Sequence, residues 1–491
     1  MRLSSTKFSI KTKCLIMTLF VIILYIILSF NIFRDITTSK TEKNLSDKRN
    51  LKSVQLENVV LHLDLKGSPP KLNYLKTLLP KLQDLGVTGL LVEYEDMFPF
   101  SGRLVNLQEF LSLAARIGFD IIPLVQTFGH MEYALKLAEF QHLREIPMFP
   151  DSLCPSKSGS QMLVKEMLEQ GYISETHTYD NKYLLVWDDM FRTIPMNHWD
   201  RIQHPDIDLV YWDYTPNIKV SHISMMKYHK TVKNIWIASA FKGADGPRAT
   251  YPDMTKRFMN NLSWMNLILD YKFGGDAEVY NFKGVILTGW SRYSHMDPPC
   301  ELLPVSLPSL YLNLLLIRQF KKGVDNTNYF ELIDFFDNYL KDNLAANLHC
   351  SELNNMDLNF DTTHCYFDGN ELNLFLKHWD IIEADILNAI NDAESRLPTI
   401  DFYLKTRNIN MNKLLESIDW CYQSIDEIVN IKKRMIKFLS QYYDEHFIEE
   451  YVNFKIYNTK KKLEDLLRNL KNMLLIRSWG PRDFHSSSFK R

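Results

Sequence analysis

Cysteine is scarce in this sequence, with six residues in 491. That number is too small for a disulfide scaffold, and no pair of cysteines has the spacing of zinc ligands. Cys14 lies inside a long apolar run, and the other five are an odd number, so at least one would be unpaired within the chain in an oxidising compartment. Cys350 and Cys365 are near enough in sequence to close a loop. The alternative is that all five are free and buried.

A strong charge of either sign is also absent. The formal net charge is −2, and no long basic tract lies beside aromatic residues. The chain therefore lacks the electrostatic signature of a nucleic-acid-binding protein, and we expect no nucleic-acid partner. A glycine-rich phosphate loop is missing after the first apolar strand, which argues against a dinucleotide-binding fold.

Only one hydrophobic run is long enough to cross a bilayer. Residues 14–33 contain no charged side chain, and a helix of that length spans about 30 Å. Four cations precede the run, namely Arg2, Lys7, Lys11 and Lys13. The pattern predicts a cytosolic tail (1–13), a signal anchor and a stem (34–57), and hence a single-pass type II membrane protein with a lumenal body. A cleaved signal peptide is the alternative. Sequons at Asn44 and Asn261 give weak support to the lumenal orientation.

Short apolar runs alternate with helical segments from residue 58 onward. Near-continuous apolar strands separated by helices are typical of a parallel sheet covered on both faces. Seven such units in series favour an α/β fold of the (β/α)₈ TIM-barrel type over 58–309, rather than an open doubly wound sheet. The runs are VVLHLDL (59–65), GLLVEYE (89–95), FDIIPLVQ (119–126), KYLLVWDD (182–189), IDLVYWDY (207–214), NIWIASAF (234–241) and GVILTGW (284–290).

Polar and aromatic residues collect where these strands end. In chain order they are His62 and Asp64, Glu93 to Asp96, Gln126 to His130, Trp187 to Asp189, Trp212 to Tyr214, Lys242, Trp290 and Tyr293. Any one acid is equally well explained as a solvated loop residue or a structural ion pair. The repetition at strand after strand favours a site, because barrel enzymes bind substrates at the C-terminal ends of their strands. Carboxylates accept from sugar hydroxyls and aromatic faces cover C–H groups, so the sequence predicts a carbohydrate pocket.

The sequence after residue 310 indicates helices. LYLNLLLIRQFKKG (310–323) predicts a helix that stops at glycine. Residues 410–474 are highly charged, with apolar residues three and four positions apart, which predicts an amphipathic helical hairpin or bundle. We therefore expect an all-helical C-terminal region over 310–491, in which no motif carries chemistry. A disordered tail is the alternative, against which the aromatic content argues.

Seven segments together resemble the hexosaminidase D branch of the family 20 glycoside hydrolases. They are LHLDLKGSPPKLNYL, LLVEYEDMFPF, IIPLVQTFGHMEYALK, LLVWDDMFR, WDYT, ASAFKGADGP and ILTGWSRYSH, and they cover roughly 58–310 in order. The resemblance implies a barrel that removes terminal N-acetylglucosamine or N-acetylgalactosamine from glycans with retention, the substrate's own acetamido oxygen attacking the anomeric carbon. It implies no metal and no cofactor. The N-terminal anchor resembles that of invertebrate Golgi relatives, which implies a Golgi or other secretory-pathway membrane.

The resemblance also assigns substrate-binding residues by their positions in the matching segments. Trp187, Trp212 and Trp290 would wall the sugar and its acetamide, and Tyr214 would donate to the acetamide carbonyl. His130 follows the third strand, and Tyr293 lies near the last one. Asp64, Glu93 and Asp188 would bind sugar hydroxyls or hold neighbouring residues in place. Glu95 and Asp96 would line or brace the same pocket. The oligomeric state is left open.

The family's catalytic Asp-Glu pair, expected at the end of the fourth strand, has no counterpart in this sequence. The interval before the next strand ends in GYISETHTYDNK (171–182), which has neither a long apolar run nor an Asp-Glu dipeptide. We therefore predict that the fourth βα unit is missing together with its proton donor, so the catalytic residues stay unassigned. Asp188 and Asp189 are the fallback acids. The other readings are a glycan-binding pseudoenzyme, a truncated isoform, or a hydrolase that uses different acids such as Asp64 with Asp188.

Overall fold

The computed structural model describes most of the chain in eight stretches. They are residues 51–95, 105–173, 184–199, 206–273, 280–325, 332–353, 362–396 and 410–475. The chain divides into two compact units, one formed by Met1–Ser53 with Lys322–Tyr329 and the other by Val54–Lys321 with Phe330–Arg491. In the first unit, β1 (Leu51–Lys52) pairs with β9 (Val324–Asp325) in antiparallel fashion.

The second unit is built around a parallel sheet of seven strands. The strands are β2 (Asn58–Asp64), β3 (Gly89–Glu93), β4 (Asp120–Leu124), β5 (Leu184–Trp187), β6 (Ile207–Trp212), β7 (Ile235–Lys242) and β8 (Phe282–Gly289). Their order in the sheet is β4-β3-β2-β8-β7-β6-β5. β2, the first strand of this sheet along the chain, thus pairs with β8, the last one, as in a (β/α)₈ barrel. Each of the seven predicted apolar runs forms one strand.

The inner face of this sheet carries one continuous apolar core. It is built from Val60, Leu91, Leu124, Val210, Trp236, Ala238 and Ile286, with Leu185 of β5 packed against it. Each strand of the sheet contributes at least one side chain to this core, because alternate residues of a strand face the same side of the sheet. Gly284 is required in β8, since a Cβ there would overlap the indole of Trp236 on the neighbouring strand.

Helices alternate with the strands along the chain. They are α1 (Leu72–Asp84), α2 (Val105–Ile117), α3 (Glu132–Leu135), α4 (Ser158–Ile173), α5 (Asp189–Arg192), α6 (Met196–Trp199), α7 (His222–Thr231) and α8 (Met254–Phe273). In α1, the buried side chains recur at helical spacing and include Leu75, Leu78, Leu79 and Leu82. The confirmed fold is therefore an α/β barrel-type sheet with helical connections.

Among the described residues, β4 and β5 are the two edges of the sheet. A closed eight-stranded barrel would hold one further strand between them. The chain between these strands includes residues 174–183, which lie outside the described residues. The missing fourth unit therefore stays a prediction.

The C-terminal part of the chain is helical in its described residues, as predicted. Its helices are α9 (Leu307–Lys322), α10 (Leu332–Phe335), α11 (Lys341–Leu348), α12 (Asn370–Arg396), α13 (Met411–Leu439) and α14 (Glu445–Leu474). α9 ends before Gly323, whose φ of +118° suits a helix stop. α13 and α14 form a long hairpin, and the side chain of Asn410 caps α13 by accepting from the Lys413 N–H at 3.3 Å.

Cys350 and Cys365 form a disulfide, which confirms the loop closure considered from the sequence. Cys154, Cys300 and Cys421 are free thiols. The alternative in which every cysteine is free is therefore wrong.

The prediction of a single-pass type II membrane protein in a Golgi or other secretory-pathway membrane is contradicted. No helix in the described part of the chain is both long and apolar enough to cross a bilayer. The long helices α13 and α14 fail because charged residues recur along their whole length. The predicted anchor at 14–33 lies outside the described residues. We correct the assignment of a membrane anchor, a membrane partner and a Golgi location accordingly.

Candidate functional site

The C-terminal ends of β2 and β3 bring three acids around one lysine. Asp64 and Glu93 are direct neighbours in the parallel register. The Nζ of Lys66 lies 3.8 Å from Asp64 Oδ2, 3.7 Å from Glu93 Oε1 and 3.4 Å from Glu95 Oε2. All four side chains are buried. We call these four residues the carboxylate cluster. One buried cation is thus shared by three carboxyl groups. Three buried negative charges beside one positive charge are unfavourable, so a proton on one of the carboxyl groups is favoured.

Hydrogen bonds hold Glu93 in its ionised form. Its Oε1 accepts from Gln126 Nε2 at 3.0 Å, and its Oε2 lies 3.0 Å from His62 Nε2. The Gly289 N–H donates to His62 Nδ1 at 3.4 Å, so Nε2 carries the proton that His62 donates to Glu93. Burial acts to raise the pKa of Glu93, but the charge of Lys66, followed by the interactions with Glu95 and His62, holds that pKa well below its usual range.

Glu95 is in the opposite protonation state. Burial, followed by the negative charge of Glu93, raises the pKa of Glu95 far above its usual range. Its Oε2 lies 2.5 Å from His295 Nε2, and its backbone adopts a φ of +30°. Two neighbouring carboxyls with pKa values moved in opposite directions are a feature of acid–base sites, and also of structural ion networks.

Both carboxylate oxygens of Asp64 accept hydrogen bonds from the protein itself. Its Oδ1 accepts from the Lys66 N–H at 2.9 Å and its Oδ2 from the Ser291 N–H at 2.7 Å. The Ser291 hydroxyl also donates to the Asp64 carbonyl at 2.9 Å. Asp64 therefore fastens the end of β2 to the segment that follows β8.

Half-buried aromatic side chains lie beside the carboxylate cluster. The Trp290 ring lies 4.6 Å from the His62 ring, 6.1 Å from the Trp187 ring and 5.6 Å from Lys66 Nζ. The Trp212 and Tyr214 rings are 5.4 Å apart at the end of β6. Burial raises the pKa of Tyr214 to about 12, against hydrogen bonds to Thr288 and Trp290 that lower it. Tyr214 therefore keeps its phenolic proton at neutral pH.

Asp188 and Asp189 follow β5 in sequence but have different surroundings. Arg192 binds both oxygens of buried Asp188, each at 2.6 Å, and the Tyr228 hydroxyl donates to Asp188 Oδ2 at 2.9 Å. Burial raises the pKa of Asp188, against these bonds that favour the charged form. Asp189 is exposed and accepts from Trp212 Nε1 at 3.4 Å. Of the two fallback acids, Asp189 is the one that solvent reaches.

The remaining predicted site residues are His130, Tyr293 and Asp96. His130 is exposed, with a φ of +56°, and directly precedes the segment that leads into α3. The Tyr293 hydroxyl accepts from the Gly246 N–H at 2.8 Å. Asp96 lies outside the described residues.

Sequence reasoning missed Lys66 and His295, although both contact the acids it singled out. The signal for Lys66 was its position two residues after Asp64, because an aspartate side chain commonly accepts from the backbone N–H two residues on, as Asp64 does here. No local pattern links His295 to Glu95, because the two are 200 positions apart.

The sequence contains two Asp-Glu dipeptides, Asp426-Glu427 and Asp444-Glu445, and neither follows a strand. Both lie at the C-terminal hairpin. No strand end within the described ranges carries such a pair. Those ranges also contain no group of three or more His, Cys, Asp or Glu side chains arranged to hold a metal ion.

Two curated proteins are similar to the chain in sequence. Hexosaminidase D of Homo sapiens is 35% identical over 332 residues, which is 54% of this chain and 67% of that protein. Hexosaminidase D of Bos taurus is 34% identical over 330 residues, which is 54% of this chain and 94% of that protein. No protein-family model matches the chain.

Two solved structures share a more distant likeness. The GH20 β-N-acetylhexosaminidase from Streptomyces coelicolor A3(2) has a TM-score of 0.39 at 13% identity, covering 60% of this chain and 69% of that one. A mutant Streptomyces plicatus β-hexosaminidase in complex with GlcNAc has a TM-score of 0.40 at 13% identity, covering 60% of this chain and 68% of that one.

Proposed function

Since the chain belongs to the hexosaminidase D family of glycoside hydrolases, we propose that it acts on glycans that end in N-acetylglucosamine or N-acetylgalactosamine. The reaction would be a retaining hydrolysis assisted by the substrate. The acetamido oxygen forms a bond to the anomeric carbon while the bond to the leaving oxygen breaks. The leaving oxygen takes up a proton, and water then opens the cyclic intermediate.

The observation that carries this proposal is the aromatic wall beside a buried carboxylate cluster. A sugar ring offers C–H faces to flat side chains and hydroxyls to charged or polar groups. Trp187, Trp212 and Trp290 supply the flat faces. Tyr214 keeps a donor proton that suits a carbonyl such as that of the acetamide.

The residue that would protonate the leaving oxygen is still unassigned. A positioned general acid contributes about 10²–10⁴-fold to such a reaction. The oxygens of Asp64, Glu93 and Asp188 are engaged by the protein's own donors. Asp189 is the exposed carboxyl closest in sequence to the aromatic wall, and we propose it as the acid to test first.

A second candidate function is glycan binding without turnover. It is favoured by the engagement of those three acids and by the absence of an Asp-Glu pair at any strand end in the described segments. A protein of this kind keeps the aromatic wall and lacks the acid. Its affinity for a terminal N-acetylhexosamine would then be retained while hydrolysis is lost.

Assay of the 491-residue chain on chromogenic N-acetyl-β-glucosaminide and N-acetyl-β-galactosaminide separates the two candidates. Hydrolysis that falls at least 100-fold in Asp189→Asn supports the first and assigns the donor. Calorimetric binding of N-acetylglucosamine without hydrolysis supports the second.

Trp212→Ala is expected to abolish binding in either case, whereas Tyr366→Ala, which removes an aromatic ring that is 81% exposed elsewhere, is the matched control. Absence of both binding and hydrolysis would contradict both candidates.

A further inference from the structure

The strand β7 contains one residue more than its neighbour β8 where the two strands end. Ala240 pairs with Thr288 and Lys242 pairs with Gly289, so Phe241 is an extra residue that forms a bulge. Bulges re-aim the side chains beside them and are common next to active sites. The bulge therefore sets the direction of the last side chain of β7, at the strand end where the site lies.

That last side chain is a buried lysine, which holds the main chain of Trp290. The Nζ of Lys242 donates to the Trp290 carbonyl at 2.7 Å, and Lys242 is 3% exposed. Burial lowers the pKa of Lys242 from its ordinary value, so an ammonium is costly to hold at this position. The amino group keeps an N–H to donate in either protonation state. A methionine would fill the same space without that cost.

The main chain after Lys242 lies against Trp290 as well. Gly243 has a φ of +74°, and a Cβ at this position would overlap the Trp290 carbonyl. The Gly243 N–H donates to Glu301 Oε2 at 2.6 Å, which fixes this turn of the chain. Trp290 is thus supported from β7 by a side chain and by the main chain that follows it.

Trp290 connects this support to the aromatic wall. Its half-buried ring lies 4.6 Å from the His62 ring and 6.1 Å from the Trp187 ring. An indole covers the C–H face of a sugar only when its plane has the right direction, so the main chain from which the indole extends has to be fixed.

We propose that Lys242 is a positioning residue of the site: its bond to the Trp290 carbonyl fixes the main chain there and so sets the angle at which the indole meets a sugar ring. Lys242 is buried too deeply to touch a sugar, and its effect passes through Trp290. The part that concerns the sugar rests on the proposed function, whereas the fixing of the indole does not.

The first test needs no ligand. Near-UV circular dichroism reports how rigidly indole rings are held, and Lys242→Met removes the donor while it keeps the length of the side chain. We expect Lys242→Met to change the indole bands with the same sign as Trp290→Phe, and to keep a urea midpoint close to that of the wild type, because an apolar side chain replaces a buried charge. Lys71→Met, which removes another lysine-to-carbonyl bond (to Ser440, at 2.8 Å), is the matched control and should leave the bands unchanged.

Unchanged indole bands in Lys242→Met would overturn the proposal. Loss of cooperative unfolding in this variant would also overturn it, because the lysine would then hold the fold rather than the indole.

Calorimetric binding of N-acetylglucosamine tests the connection to the sugar. The affinity of Lys242→Met should fall about tenfold, as expected when one aromatic contact is misaligned. Lys242→Gln carries an N–H donor without a charge and should regain most of the affinity, and Lys71→Met should bind as the wild type does. Normal affinity in Lys242→Met, or equal losses in the Met and Gln variants, would contradict the proposal. A wild type that binds no N-acetylhexosamine would refute the proposed function instead, and the dichroism of the unliganded chain would then decide the role of Lys242.

Discussion

At the scale of single residues, the site is governed by how many donors each acid already has. Asp64, Glu93 and Asp188 were singled out from the sequence as partners of sugar hydroxyls. Their position at strand ends was predictable from periodicity alone. The donors that engage them were largely not, because the Tyr228 hydroxyl and the backbone N–H of Ser291 come from distant parts of the sequence. A strand end thus predicts where an acid lies and leaves open whether its oxygens are available.

Replacing Asp188 is expected to cost stability rather than activity alone. Asp188→Ala removes the bidentate partner of Arg192 and the carboxylate acceptor of the Tyr228 hydroxyl. Breaking a pair of this kind costs about 3 kcal/mol of unfolding free energy. The neighbouring Asp189→Ala changes an exposed side chain and should stay within about 0.5 kcal/mol. Urea unfolding of both variants checks the difference, and equal losses would show that Asp188 is no more structural than its neighbour.

Glu301 predicts a pH dependence of stability. It is buried, accepts from the Gly243 N–H at 2.6 Å and the Asp245 N–H at 3.2 Å, and has a pKa raised to about 7 by burial and by the charge of Asp245. Unfolded glutamate titrates near about 4.3. Between these values the folded state holds the extra proton, so the contribution of Glu301 to stability falls as pH rises from about 4.3 to 7 and is flat above.

The variant Glu301→Gln should remove this part of the pH dependence. Relative to the variant, the wild type is expected to lose about 2–3 kcal/mol of unfolding free energy between pH 5 and pH 8. Urea midpoints at several pH values measure this change, and only their slope with pH is compared, because glutamine accepts one backbone bond fewer. Glu449→Gln, which removes an exposed carboxylate, controls for the lost charge. Parallel pH profiles for the wild type and Glu301→Gln would contradict the prediction.

At the scale of elements, the strands were the most predictable part of the chain. Runs such as IDLVYWDY and NIWIASAF are mostly apolar because both faces of a parallel sheet are covered, and both contain strands. Short helices were less predictable. The segment that follows β4 does not form one regular helix; it forms α3 and a separate 3₁₀ turn at Ala138–Leu143. Its boundaries depend on tertiary contacts such as Arg144 Nη2 with the Leu135 carbonyl, at 2.7 Å.

The packing of β8 against β7 depends on a glycine. In Gly284→Ala, the new Cβ would overlap the Trp236 ring, whose Nε1 is held by Asp208 at 3.0 Å and cannot move freely. Overpacking of a core typically costs about 1–3 kcal/mol. Gly129→Ala is the matched control, because a Cβ there meets nothing within 4 Å. Thermal unfolding should show a clearly lower midpoint for Gly284→Ala only. A shift of similar size in both variants would mean that the Trp236 indole moves aside and accommodates the new Cβ.

At the scale of the whole molecule, the helical C-terminal region is part of the site's support. Its helical character was predictable from spacing and charge, but its role was not. Arg292 follows β8 and its Nε donates to the Lys66 carbonyl at 3.1 Å, beside the carboxylate cluster. Its other nitrogens bind both carboxylate oxygens of Glu450 on α14, at 2.5 and 2.6 Å. A residue 158 positions away in sequence therefore helps to fix the backbone of the site.

Removing Glu450 should weaken both the fold and the site. Glu450→Ala leaves the guanidinium of Arg292 buried without its carboxylate, and since Glu450 itself is half exposed we expect a loss of about 1–2 kcal/mol of unfolding free energy. Lys66 would lose part of its backbone restraint, so N-acetylglucosamine affinity should fall as well.

The matched control for this prediction is Glu449→Ala, on the same turn of α14, which should change neither stability nor affinity. Arg292→Met with Glu450→Met removes both charges, and its loss of stability should be smaller than the summed losses of Arg292→Met and Glu450→Met alone, because no unpaired charge remains. Urea unfolding and calorimetry of these five variants measure the differences. If Glu450→Ala lowered stability but left the affinity for N-acetylglucosamine unchanged, α14 would stabilise the barrel without supporting the site. If the single losses simply added, Arg292 and Glu450 would not act as a pair.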